Sequence, residues 1–200
     1  MKKILVCIFF VLISAANSED TKKITLLAKV NNFGISNIDL HEEIQIMKNL
    51  NKNLNNTDEQ ILEKIAIQGL VDDVLKKQEI EENDIKLNDS VFIKEYEQLI
   101  TNIEKTDVSI DENIKKKIFQ KIKLNSEWNQ LINQKYRWNV NVNINEIEDR
   151  LKDTKNIPTD EKELQELKTK LINIEKSKKL EVFSKIHLSK IKKQSLIKFF

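Results

Sequence analysis

Gly34, Gly69 and Pro158 are the only glycines and the only proline in this chain of 200 residues. The tight turns of hairpin-rich architectures draw on glycine for positive φ and on proline for a preset φ, so a barrel or sandwich has little raw material here. Gly-rich phosphate-binding loops are excluded on the same ground. Helices need neither residue, and Leu, Ile and Val are plentiful enough to give helices a shared core. The expected class is mainly α, in one domain.

The first eighteen residues have a different character. Lys2 and Lys3 precede the apolar run Ile4 to Ile13, and Ala16-Asn17-Ser18 places small residues before Glu19. That order is the pattern of a secretory signal peptide cut before Glu19, which puts the expected working protein, residues 19–200, outside the cytoplasm. The run is too short for a membrane span, which takes about 20 residues. Cys7, the only cysteine, lies inside it, so the mature protein is expected to have no disulfide. Loss of Lys2 and Lys3 leaves 32 basic residues against 32 acidic, a net charge of zero with His neutral. Charge so evenly mixed offers no basic stripe to nucleic acid, and no nucleic-acid partner is expected.

Along the chain, Leu26, Leu27, Ala28 and Val30, the turn residues Asn31-Asn32 and Gly34, and then Ile35 predict a short β-hairpin. Asn37 is the expected cap of a first helix reaching Leu50, and Thr57 or Asp58 starts a longer one through Ile61, Leu62, Ile65, Ala66, Leu70, Val74 and Leu75. Gly69 within it suits a close helix approach. Asn88 to Ser90 cap a helix with Val91, Phe92, Tyr96, Leu99 and Ile103; Ser109 and Glu112 form a capping box for Ile110 to Ile122; Asn125 or Ser126 opens another helix with Trp128, Leu131, Ile132 and Tyr136 or Trp138 inward. An extended crossing through Val140 and Val142 leads to Asn145 as the cap of a helix with Ile147 and Leu151. The N-terminal part thus spans 24–152, and residues 153–160, with the lone proline, read as a connector. Residues 161–191 predict a long charged helix with a narrow apolar stripe. Near Phe183 the period shortens: Ile186 and Leu188 alternate with Lys185, His187 and Ser189, which predicts a late strand pairing with the hairpin. A basic tail, 192–200, follows.

Several of these segments resemble the SurA-type periplasmic chaperones. Ala28-Lys-Val-Asn-Asn-Phe-Gly-Ile35 with Asp39-Leu40 is similar to that family's opening hairpin and first helix. Leu70-Val-Asp-Asp-Val-Leu-Lys-Lys-Gln-Glu79, then Ile85-Lys-Leu-Asn-Asp89, resembles its buried helix and exit. The order of the segments Ser109 to Gln120, Asn125 to Trp138, Ile144 to Ile147, and a last helix with a strand also agrees. The resemblance implies a mainly α chaperone core, with a small sheet built from an N-terminal hairpin and a C-terminal strand, located in the periplasm. In the family, parvulin isomerase domains are inserted between the N-terminal helices and the C-terminal helix. The matching point here, Lys152 to Asp160, is far too short for one, so the isomerase activity is not carried over.

Enzyme chemistry lacks its residues in this sequence. Two distant histidines, His41 and His187, and no Gly-x-Ser-x-Gly leave no nucleophile triad, and both histidines read as ordinary surface or half-buried residues. The acidic pairs Glu42-Glu43, Asp72-Asp73 and Glu81-Glu82 are adjacent, hence about 100° apart on a helix, and read as solvated charge. Metal-ligand spacings are absent, and no cofactor is expected.

What remains is binding. The resemblance implies an ATP-independent holdase for unfolded exported proteins, outer-membrane β-barrel precursors above all, held in an apolar cleft between the N-terminal helices and the long C-terminal helix. Such surfaces favour adaptable Met and aromatic side chains, which selects Met47, Leu50, Tyr96, Trp128 and Tyr136 as client-binding candidates. The alternative is a non-enzymatic adaptor with one fixed partner. The tail Ile186 to Phe200, with Lys190, Lys192, Lys193 and Lys198 among apolar residues, adds a candidate for peripheral membrane contact.

Overall fold

A computed structural model of the chain describes residues 23–105, 110–152 and 160–200. The signal-peptide segment 1–18, the cap at Ser109 and the connector residues 153–159 lie outside the described residues.

The hairpin forms as expected. Strands β1 (Leu26–Val30) and β2 (Phe33–Ser36) pair antiparallel with Ala28 opposite Ile35 and Val30 opposite Phe33. Asn31 takes the left-handed turn conformation at φ 53°, which Asn tolerates better than most residues. A third strand, β3 (Ile197–Phe199), pairs antiparallel with the other edge of β1, so the sheet order is β2-β1-β3. Asn31 locks the junction: its N–H donates to the Leu196 carbonyl at 2.8 Å, and its side-chain oxygen accepts from the Leu196 N–H at 2.9 Å.

The expected late strand at Ile186 to Leu188 is therefore corrected. The residues expected to form it are helical, and the strand lies in the segment read as a tail. The apparent alternation arose because His187 is the inward residue there, 7% exposed, while Ile186 faces out at 59%. Helical spacing with a buried histidine had imitated a strand with buried isoleucine.

The rest is helical. Helix α1 (Asn37–Leu50) is capped by Ser36 rather than Asn37, through a capping box in which Ser36 and Asp39 exchange bonds. Asn37 instead accepts from the Thr25 N–H at 2.9 Å, tying the helix start to the strand start. Helix α2 (Glu59–Glu82) begins at the Asp58 cap and buries Leu62, Ala66, Val71, Leu75 and Ile80. A Cβ on Gly69 would stand 3.6 Å from the Glu43 carboxylate, so α1 does approach α2 at that glycine. Helix α3 (Ile93–Glu104) follows a single 3-10 turn capped by Asn88.

Helix α4 (Glu112–Tyr136) is one continuous helix from an Asp111 cap, where two had been expected. Asn125 and Ser126 resemble a cap in sequence, but no glycine or proline interrupts the helix. Asn125 lies on its surface, accepting from the Lys76 ammonium at 3.0 Å. After an extended stretch, Asn143, two residues before the expected cap Asn145, accepts from the Asn145 N–H to start α5 (Ile144–Lys152). Helix α6 (Glu161–Gln194) starts at the Asp160 cap and runs to within a few residues of β3.

Three apolar clusters hold these elements. Ile46, Phe92, Ile100, Ile103, Ile114, Ile118 and Ile122 join α1, α3 and α4. Ala28, Val30, Ile35, Val71 and Leu75 seat the sheet on α2, with Ile191 and Ile197 packed against them. Ile80, Ile85, Trp128, Leu131 and Ile132 join α2 to α4, with Leu180 and Leu188 of α6 alongside. At about 25 cal/mol per Å² of apolar surface, such clusters supply most of the stabilisation in a chain without disulfides in its described part.

Candidate functional site: an apolar-floored cleft

Beside the face that seats the sheet, α2 carries a second stripe. Leu70, Asp73, Lys77, Ile80 and Glu81 recur at three- and four-residue steps, so they share one face. Between that face, α1 and α4 lies an open cleft of about 840 Å³. Its floor is apolar: Ile46 from α1, Leu70 and Ile80 from α2, Ile85 from the turn that follows, and Leu124 from α4. Its rim is charged with both signs, from Lys77, Glu81, Asp84 and Lys86 on one side to Lys117, Lys123 and Glu127 on the other.

One wall is set by a partly buried ion network. Lys121 of α4 pairs with Glu43 of α1 and, at 3.0 Å, with Asp73 of α2. Burial acts to lower the Lys121 pKa, but the Asp73 and Glu43 carboxylates outweigh it and hold the ammonium above the usual lysine range. Glu43 is only 6% exposed, so Lys121 neutralises a charge that the interior could not otherwise hold. At the surface, Lys117 pairs with Glu42 at 3.0 Å, and Asn113 donates to the same carboxyl group. Three helices are thus pinned around the cleft by charge as well as by packing. Of the adjacent acidic pairs, Glu43 and Asp73 are structural partners rather than solvated charge.

The cleft differs in position from the expected one. Between α2 and α6 the space is crossed by His187, which reaches Glu79 at 3.0 Å, and by Lys192, which reaches Asp72 at 2.7 Å, while a smaller opening of about 460 Å³ lies between α4 and α6, lined by Ile132, Asn133, Leu180 and Ser184. The larger cleft, with the apolar floor, lies between α2 and α4 on the side away from α6.

The client-binding candidates take several positions. None of Met47, Leu50, Tyr96, Trp128 or Tyr136 lines this cleft. Met47 is half-buried and Leu50 exposed at the end of α1. Tyr96 packs edge-on against Phe119, with ring centroids 5.2 Å apart. Trp128 is buried in the α2–α4–α6 cluster and donates from Nε1 to the Ser184 hydroxyl at 2.7 Å. Tyr136 stacks on Phe183 at 5.0 Å and contacts His187 through its hydroxyl at 2.8 Å. The choice between Tyr136 and Trp138 as the inward residue is settled for Tyr136, since Trp138 is 80% exposed. The floor residues escaped selection because aliphatic side chains at helical spacing look like core from sequence. The signal was the second stripe on α2, from Leu70 to Ile80, which a one-sided helix would not need.

His187 is neither a surface residue nor isolated. Its Nδ1 meets the Tyr136 hydroxyl and its Nε2 meets Glu79, which also pairs with Lys135 at 3.1 Å. Burial pushes the Glu79 pKa up, but hydrogen bonds from Lys135 and His187, together with their charges, overcome it and hold the carboxyl below the usual glutamate value. Among the described residues no cluster of His, Cys, Asp and Glu suits a metal ion, and no helix is long and apolar enough to cross a membrane.

No protein-family model matches the chain, and no curated protein matches it as a relative.

Proposed function

We propose that this protein is an ATP-independent holdase of the periplasm that shelters unfolded exported polypeptides, outer-membrane β-barrel precursors among them. The observation that carries the reading is the cleft between α1, α2 and α4, with an apolar floor of Ile46, Leu70, Ile80, Ile85 and Leu124 under a rim of mixed charge. Aliphatic floors bind apolar segments without demanding one sequence, and mixed rims neither select nor repel by net charge. Occupancy keeps β-prone segments from pairing with one another, and release needs only exchange. The segments quoted above that resemble SurA-type chaperones point the same way. The reading involves no bond-making step, and no isomerase activity is proposed.

The test is light scattering of a denatured outer-membrane β-barrel protein diluted into buffer with and without the purified protein, in the absence of nucleotide. Suppression near stoichiometric ratios, repeated with an unrelated unfolded client, is the expected result. Unchanged aggregation overturns the holdase reading and moves the fixed-partner adaptor to first place.

A further inference from the structure

The segment 186–200, read from sequence as a basic and apolar tail, is divided by the fold. Ile191 and Ile197 pack under the sheet, and Lys192 is held by Asp72 and Gln68. What stays outside is a continuous face of α6. Lys178, Val182, Ile186 and Lys190 recur every four residues along one line of it, spanning about 18 Å at 1.5 Å per residue. Val182 and Ile186 are 54% and 59% exposed. Lys185 and Lys193 flank them, and the only carboxylate between residues 178 and 193 is Glu181, paired with Lys185. Lys178, Lys190 and Lys193 are exposed and pair with no carboxylate among the described residues.

A second element borders this face. Lys179 donates to the Asn141 carbonyl, and Tyr136 stacks on Phe183, so the turn between α4 and α5 lies along α6 at this level. That turn holds out Trp138, with the Arg137 guanidinium 4.6 Å from its ring centre. With Arg137 the surface has five cations against one carboxylate. Its net charge of +4 exceeds the +2 of the entire chain.

We infer that the outer face of α6, with Arg137 and Trp138 beside it, is a docking surface for an anionic lipid bilayer. Charge complementarity selects the occupant. A folded protein partner would want a dry apolar centre depleted in lysine, whereas here Lys178, Lys185 and Lys190 lie within one turn of Val182 or Ile186. A headgroup layer accepts that pattern: lysine stems lie along the apolar side chains while the ammonium groups reach phosphates, and Trp with an adjacent Arg suits the interface between water and acyl chains. The contact is shallow and electrostatic, so it is reversible and falls with salt. It is independent of the holdase reading, since the cleft residues take no part in it.

The experiment is co-sedimentation of the full chain with vesicles of phosphatidylcholine, with and without phosphatidylglycerol. Two variants are compared, Lys178→Glu/Lys190→Glu/Lys193→Glu and Val182→Ser/Ile186→Ser, with Lys94→Glu on α3 as a charge control and circular dichroism as a check on folding. The apolar run at residues 4–13 is common to every variant, so only the differences report the α6 face. The expected result is preference for the phosphatidylglycerol vesicles, a drop of roughly tenfold or more in partitioning for the triple variant, a smaller drop for the double variant, and none for the control. Equal binding to both vesicle types, wild-type partitioning of a folded triple variant, or capture of soluble polyglutamate with no vesicle binding each overturns the inference.

Discussion

His187 on α6 and Glu79 on α2, 108 residues apart in the chain, meet at 3.0 Å inside the protein. Tyr136 of α4 closes the same contact from the other side of the imidazole at 2.8 Å. One ring thus ties together the three longest helices among the described residues. Replacing it by an apolar residue of similar size leaves the Tyr136 hydroxyl without this partner and Glu79 with Lys135 and a longer bond from Asn83. The expected cost of His187→Leu is about 2–3 kcal/mol, the penalty for buried polar groups left unmatched. Urea melts of the variant and the parent measure it, and a change near zero means that water replaces the ring.

Acid should weaken the same junction. Glu79 has its pKa lowered in the folded protein, so the unfolded chain binds its proton more readily. Its contribution is fully present above the unfolded value, about 4.3, and is lost as pH falls through the lower folded value. The Glu79→Gln variant should therefore lose less stability than the parent between neutral pH and the acid limb, as read by denaturation midpoints across that range. Parallel curves for the two proteins would remove Glu79 from the acid response.

At Lys121 the sign is reversed. Its raised pKa means that the stabilisation is complete below the unfolded lysine value of 10.5 and is lost only as pH rises through the higher folded one. Lys121→Met leaves Glu43 buried without this cation and should cost about 3 kcal/mol, the usual scale for breaking one side of a buried pair. The double variant Lys121→Met/Glu43→Gln should recover most of that loss, a pattern that a thermodynamic double-mutant cycle resolves.

The cleft floor can be altered without touching the deepest core. Leu70→Gln and Leu124→Gln place amides on half-buried floor positions. Both should reduce suppression of client aggregation several-fold while the circular dichroism spectrum is kept. Leu99→Gln, half-buried on α3 and outside the cleft, is the matched control. Equal loss in all three would mean that stability, and not the cleft, sets the activity.

Much of the fold was legible because it depends on local chemistry. The hairpin followed from Asn31-Asn32 between apolar runs, and α2 from the Asp58 cap and its apolar spacing. What failed was the reading of positions whose chemistry is used elsewhere. Asn125 and Ser126 suggested a helix start, yet Asn125 serves Lys76, and nothing in their neighbourhood stops a helix. His187 broke the apolar period because a buried histidine was needed by two partners far away in sequence. Ile197 and Phe199 were too few to announce a strand; only the open edge of β1, a tertiary fact, makes them one. The cleft was harder still. Its floor residues differ from ordinary core only in which helix fails to cover them, and no local pattern encodes that.

Removing residues 196–200 should show how much that last strand contributes. The deletion breaks the pairing of Ala28, Lys29 and Val30 with β3 and uncovers the side of β1 that Ile197 shields. A loss of about 2–4 kcal/mol is expected from the lost apolar burial and ladder bonds, measured by thermal melting of the truncated chain.

β1 is the middle strand of its sheet, yet its second neighbour lies far along the chain, with Ala28 paired to Phe199. Until residues 197–199 reach it, β1 keeps one edge open. An unpaired strand edge is a template for stray pairing, so this sheet is protected only once two segments far apart in the chain have met.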